Sequence, residues 1–324
     1  MSEERELLRG TVAALVEKHA SAAAVRQAIE SERGYDESLW KLLCEQVGAA
    51  ALVVPEELGG AGGELADAAI VIEELGKGLV PTPLLGTTLA ELALLAADEP
   101  DTDALEALAA GTKIGTVVFD GDERAREEHS GWDVVINGDV AEIAITADGE
   151  RLKRLTEFTA HRVDAMDQTR RLARVEAKSD TDIGSDPGLA DTAAILLAVE
   201  QIGAATRCLD LTVEYTKDRV QFGRPIGSFQ ALKHRMADLY VAVQSARAVV
   251  DEAVAEPSPT SAALARFSAS EAFSKVAGEA IQMHGGIAIT WEHDIQLYFK
   301  RAHGSAQLFG PPREHLRRLE SEVL

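Results

Sequence analysis

The densest chemistry in the chain lies in residues 215–238, which include Tyr215, Lys217, Arg219, Gln221, Phe222 and Gln230. Lys217 and Arg219 close a helical run. Gly223, Pro225 and Gly227 mark a tight loop, and Ser228 is placed to cap the next helix. A loop with cationic side chains beside a helix N-terminus suits a phosphate, because the first turn offers unpaired N–H groups and the positive end of the dipole. The same cations equally suit a local role, complementing the negative end of the helix they terminate.

Other clusters carry less. The run Gly59-Gly60-Ala61-Gly62-Gly63 follows Pro-Glu-Glu-Leu rather than a clear strand and lacks the full GxGxxG spacing, so it is not a dinucleotide fingerprint. His293 and Asp294 have no third ligand at suitable spacing, and no metal site is expected. Cys44 and Cys208 each sit in a helix-like run without a CxxC pattern, which argues against a disulfide framework or a zinc site.

The elements that must position these residues fall into three stretches. Residues 1–112 read as helices: Glu6 to His19, a helix capped by Asp36, Glu64 to Gly76, Thr87 to Ala97 and Asp101 to Ala110. Residues 113–187 read as a small β domain. Its runs Ile114–Asp120, Asp133–Asn137, Ala141–Thr146 and Ala173–Ala177 are separated by Asp-Gly and Asn-Gly turns, and Ser179 to Gly188 reads as a polar linker. Residues 188–324 read as a four-helix bundle: Leu189 to Arg219, Ser228 to Ala255, Ser261 to His284 and His293 to Phe309, with Gly285 and Gly286 breaking the third helix.

Composition bounds the function. The chain has 324 residues, 46% hydrophobic, 27% charged and 5% aromatic, with a net charge of -22. That balance is ordinary for a globular protein and argues against nucleic acid or an anionic membrane as partner. The N-terminus lacks an apolar leader and no stretch approaches a membrane span, so a cytoplasmic location is expected.

The stretch from Tyr215 to Asp238 resembles the signature that opens the C-terminal bundle of acyl-CoA dehydrogenases. Ile281-Gln-Met-His-Gly-Gly286 is similar to their second signature. Val54-Pro-Glu-Glu-Leu-Gly-Gly60 and Glu73-Glu-Leu-Gly76 resemble their N-terminal helical domain. The resemblance spans nearly the whole chain. It implies a mainly α fold with a small β domain: an N-terminal helical domain, a middle β-barrel-like domain and a C-terminal four-helix bundle. It also implies FAD held across a subunit interface. By position, Arg219 would pair with the pyrophosphate and Phe222 would pack on the cofactor with Gln221 beside it. Gln230 would bond the adenosine side. Gln282, Gly285 and Gly286 would let the backbone approach the pyrophosphate.

Departures from the pattern shape the expected role. The family removes an α-proton with a Glu while a β-hydride passes to the flavin. One family position for that Glu falls here on Phe309, and the other on Ala193 or Ala194. Asp191 and Glu200 are the neighbouring carboxylates; a first-turn residue and a polar interface contact explain them without catalysis. No catalytic residue is therefore expected. The loop that embraces the flavin ring in the family has no match in Val118 to Arg126. The resemblance is to the base-less subunits of heteromeric bacterial enzymes. It implies a longer homologue as partner in a heterotetramer, a steroid-derived acyl-CoA as substrate, and an electron-transfer flavoprotein as acceptor. The basic tail of Lys300, Arg301, His303, Arg313, Arg317 and Arg318 fits either a solvated face or an anchor for CoA phosphates or the partner. Trp291 fits either an interface or the core. A self-sufficient enzyme with another base, and a non-catalytic thioester-binding scaffold, stand as alternatives.

Overall fold

A computed structural model describes residues 2–119 and 131–323. The Asp120-Gly121-Asp122 turn and most of the Val118–Arg126 segment lie outside the described residues. The chain divides into two compact units, residues 1–72 with 80–193, and 73–79 with 194–324.

The first unit starts with α1 (Glu3–His19), capped by Ser2, whose side chain accepts from Arg5 N. A second helix, α2 (Ala22–Glu30), was not expected from the sequence. It buries only Val25, Ala28 and Ile29, a stripe too short to stand out in an Ala-rich run. Asp36 caps α3 (Glu37–Leu42) as its position predicts, accepting from Ser38 N and Leu39 N. Helices α4 (Leu65–Lys77), α5 (Leu84–Leu95) and α6 (Thr102–Ala109) follow. Asp101 caps α6 and also pairs with Arg154.

The sheet contains β1 (Gly115–Phe119), β2 (Gly131–Ile136), β3 (Ile143–Ala147), β4 (Arg151–Val163) and β5 (Leu172–Ser185), in the order β1-β3-β4-β5-β2. β1 and β3 run parallel and the other pairs antiparallel. Thr116 Oγ1 donates to the Ile136 carbonyl at 2.6 Å, linking the strands at the two ends of that order. Two readings are corrected here. β4 was not expected, and Ser179–Gly188 is largely the second half of β5 rather than a linker. Around residues 178–182 the strand is exposed, so no apolar alternation marks it. Charged cross-strand contacts replace it: Lys178 with Glu157 at 3.0 Å, and Arg151 with Asp182.

The second unit carries α7 (Leu189–Asp218), a hairpin of β6 (Val220–Gln221) and β7 (Arg224–Pro225), then α8 (Gln230–Ala255), α9 (Pro259–His284), α10 (Ile295–Gln307) and α11 (Pro312–Val323). Leu209, Leu239, Val243, Phe273, Val276, Met283 and Tyr298 form part of its core. Helix α11 adds to the expected four; its polar sequence hid its start at Pro312. Ser228 does not cap α8. Its Oγ donates to the Pro225 carbonyl at 2.7 Å, and Phe229 holds the cap position without a side-chain bond. Ser258 and Ser261 instead form a capping box at α9, with Pro259 in its first turn. Within this unit α7 meets the end of α4 at two glycines. A Cβ on Gly76 would lie 2.5 Å from the Glu200 carbonyl, and one on Gly203 would lie 2.2 Å from that of Glu73.

Candidate functional site

The residues expected to touch a cofactor lie on two turns of the second unit. The first is the β6–β7 hairpin. Arg219 N donates to Tyr215 O at 2.9 Å, and Ile226 N donates to Arg219 O at 2.8 Å, so the hairpin closes directly on the end of α7. Arg219, Gln221 and Gln230 are exposed. Phe222 is 92% exposed and sits at φ 52°. Its ring meets Phe229 edge to face at 6.1 Å, and the Arg224 guanidinium lies 4.0 Å over the Phe229 ring.

The second turn ends α9. Gln282, Gly285 and Gly286 are exposed. Gly285 has φ 66° and ψ -145°, a conformation open essentially to glycine alone. A Cβ at either glycine would meet nothing within 4 Å, so the backbone faces open space. The two turns share a foundation that the sequence reading missed. Tyr215 stacks on His284 with ring centroids 4.2 Å apart, and His293 meets His284 edge on at 4.7 Å. Tyr215 Oη donates to the His284 carbonyl at 3.2 Å, immediately before Gly285. His284 Nδ1 donates to the Ala280 carbonyl at 2.8 Å, which fixes its tautomer, and burial holds its pKa below the ordinary value.

The carboxylates near the expected base positions are accounted for. Glu200 Oε1 accepts from Arg301 Nη1 at 2.8 Å, both side chains being buried. Arg301 is thus a core residue and not part of a solvated basic tail. Asp191 sits in the first turn of α7, while Asp186 Oδ1 accepts from Gly188 N and Leu189 N at that helix start. Ala193 and Ala194 are fully buried. Glu73 pairs with Arg247 at 2.9 Å, and Glu74 with Lys77 at 2.6 Å. In the first unit Glu91 is 0% exposed, which puts it out of reach of any substrate.

Phe309 lies just past the end of α10, at φ 56°, followed by Gly310 at φ 90°. Trp291 is 59% exposed, with Lys300 Nζ 4.1 Å over its ring, so it is not a core residue of this chain.

Two family models match the chain. The acyl-CoA dehydrogenase N-terminal domain covers residues 2–112 and the acyl-CoA dehydrogenase C-terminal domain covers residues 188–319. A curated relative from Mycolicibacterium smegmatis, acyl-CoA dehydrogenase IpdE2, is 72% identical over 100% of both chains. This chain belongs to the acyl-CoA dehydrogenase family. Among solved structures, the fold is similar to one from the ChsE4–ChsE5 complex of Mycobacterium tuberculosis. That match has a TM-score of 0.90 and 26% identity over 100% of this chain and 98% of that one. It is similar also to the Tcur3481–Tcur3483 steroid ACAD, with a TM-score of 0.89 and 26% identity over 99% and 98% of the two chains. The expected fold, mainly helical with a small sheet, is that of the acyl-CoA dehydrogenase family.

Proposed function

We propose that this chain is one subunit of an FAD-dependent acyl-CoA dehydrogenase that desaturates a steroid-derived acyl-CoA thioester. It contributes the clamp for the ADP half of FAD, and a longer homologous subunit supplies the base and the ring pocket. The observation that carries the reading is Phe309. At one position where the resemblance puts the carboxylate that accepts the α-proton, the sequence has an aromatic ring, and Glu200, near the other such position in sequence, is paired with Arg301. The two likenesses, each from a structure with two named components, support a partner subunit for this chain, and the Tcur3481–Tcur3483 steroid ACAD supports a steroid substrate.

The exposed, glycine-opened turn fits a pyrophosphate. Gly285 and Gly286 leave the backbone accessible, Arg219 brings a guanidinium fork, and Phe222 and Gln221 line the hairpin. Gln230 and Gln282 would bond the adenosine side and the pyrophosphate side. Bound FAD would accept the hydride. This chain's residues bind and orient its diphosphate and keep the two turns in register through Tyr215 and His284. The division into parts at 1–112, 113–187 and 188–324, a cytoplasmic location, a heterotetramer and an electron-transfer flavoprotein as acceptor belong to the same proposal.

The test is the visible spectrum and native mass of the chain purified alone and co-expressed with a longer homologue that carries the Glu. A colourless chain, and a complex with about one FAD per pair, is the expected result. A yellow chain that carries its own FAD and bleaches with an acyl-CoA sinks the subunit reading.

A further inference from the structure

In the first unit, the turn between β4 and β5 meets the end of α2 and the loop that follows it around a cavity of about 340 Å³. Its walls are of two kinds. Ile29, Val163 and Leu172 supply hydrocarbon, while Arg162, Arg170 and Arg171 bring three guanidinium groups. Asp164 and Asp167 line it as well, and Asp139 pairs with Arg171. Three cations therefore stand against three carboxylates, so the cavity has no excess negative charge in a chain whose net charge is -22.

Two of the carboxylates are committed, and donors are left over. Asp139 accepts from Arg171 Nε at 2.8 Å and from its Nη2, with both side chains only 10% exposed. Asp167 Oδ1 accepts from Thr169 N at 3.0 Å and from Thr169 Oγ1 at 2.5 Å. Asp164 is exposed to solvent. On the donor side, the Arg162 guanidinium has no partner among the described residues. Nη1 of Arg171 is buried and has no hydrogen-bond partner among them either. Gly34, another lining residue, sits at φ 73°, and a Cβ there would come 2.7 Å from Arg171 Cδ and 2.9 Å from Nη1. Glycine is what lets the arginine lie along this wall. A buried N–H without an acceptor is costly, and an oxygen brought by a ligand relieves it.

We propose that this cavity binds a small organic monocarboxylate, its oxygens taken by Arg162 and Arg171 and its hydrocarbon body laid on Ile29, Val163 and Leu172. Guanidinium donors match the two oxygens of a carboxylate, and the apolar wall favours a ligand with a hydrocarbon body over a bare ion. A site whose own charges cancel takes one added negative charge with less repulsion than two, which disfavours a phosphate dianion. The site lies within the first unit and does not depend on the subunit role proposed above.

Calorimetric titration of the full chain with cyclohexanecarboxylate tests this. Saturable binding is expected, about tenfold tighter than that of the neutral isostere cyclohexanecarboxamide or of inorganic phosphate. Arg162→Gln, at an exposed position, should weaken the carboxylate about tenfold. Val163→Trp, at the partly exposed end of β4, should fill the cavity and abolish binding. Both variants are expected to melt with the parent chain, and should one melt lower, the other carries the test. Equal affinity for the amide would mean an apolar pocket without charge recognition, and equal or tighter affinity for phosphate would mean a general anion site; either overturns the proposal. So does a lack of saturable binding, or carboxylate binding that survives Val163→Trp.

Discussion

Two phenylalanines in this protein share a left-handed backbone and nothing else. Phe222 is 92% exposed on a two-residue-stranded hairpin, with only another ring at its edge. Phe309 is half-buried, and its backbone is gripped by the fully buried Arg266 of α9 and the buried His315 of α11. A strained residue left open to solvent gains little from its own chain, so a bound group has room to stabilise it. A strained residue gripped from within has already been fixed before anything binds. The first arrangement suits a surface completed by cofactor and partner, and the second a chain reversal set by the fold itself.

The largest effect that could break this contrast concerns Arg266. Replacing it with Met should leave the carbonyls of Leu308 and Gly310 short of a donor and take one of two donors from the Ser305 carbonyl and the Gln201 amide oxygen, at a cost of about 3–5 kcal/mol. Urea denaturation of the chain measures it; a loss below about 1 kcal/mol would mean the grip is incidental. Arg301→Met should come close behind, about 3 kcal/mol, because it strands Glu200 in the interior. Adding Glu200→Gln should recover part of that loss, and a purely additive double variant would deny the coupling.

Glu91 sharpens the contrast from the opposite side, as a buried group with no grip at all. Neither of its carboxyl oxygens has a hydrogen-bond partner among the described residues, and burial pushes its pKa well above the usual carboxylate range. A raised folded-state pKa means that the stability linked to its proton is present below the unfolded value of about 4.3 and is lost as pH climbs through the folded value. Glu91→Leu should therefore stabilise by about 1–3 kcal/mol at neutral pH and by less near pH 4. Melting curves at the two pH values check it, and equal gains at both would contradict the linkage. The smallest effect on stability belongs to Phe222→Ala, within about 0.5 kcal/mol, together with a clear loss of flavin from the co-expressed complex. Unaltered flavin content would remove Phe222 from the cofactor surface.

What the sequence revealed followed the strength of its periodic signal. Asp36 was legible as a cap and the long apolar helices α7, α8 and α9 were legible as a bundle, because burial imposes a period. Strand β4 and the outer half of β5 were not, because both are largely solvated and paired by charge. Ser228 looked like a cap by residue type, yet its hydroxyl turned back to Pro225, a choice between two local acceptors that spacing does not encode. The two turns proposed to hold the cofactor could be located from Gly285, Gly286 and the residues after Tyr215. Their shared base of Tyr215, His284 and His293 joins residues up to 78 positions apart (293 − 215 = 78). Arg266 was invisible for a similar reason: an arginine within Ala262–Ala272 reads as an exposed polar position until its acceptors on α7 and beyond α10 are known.

Arg266 also bears on the order in which the second unit folds. Its acceptors come from α7, α9 and the end of α10, and lie as many as 65 residues from it in sequence. A guanidinium is costly to dehydrate until those acceptors have converged. The chain reversal at 308–310 can therefore close only after the three helices have docked, which makes α11 the last helix of the unit to settle. In kinetic terms, changes at Arg266 should speed unfolding far more than they slow folding.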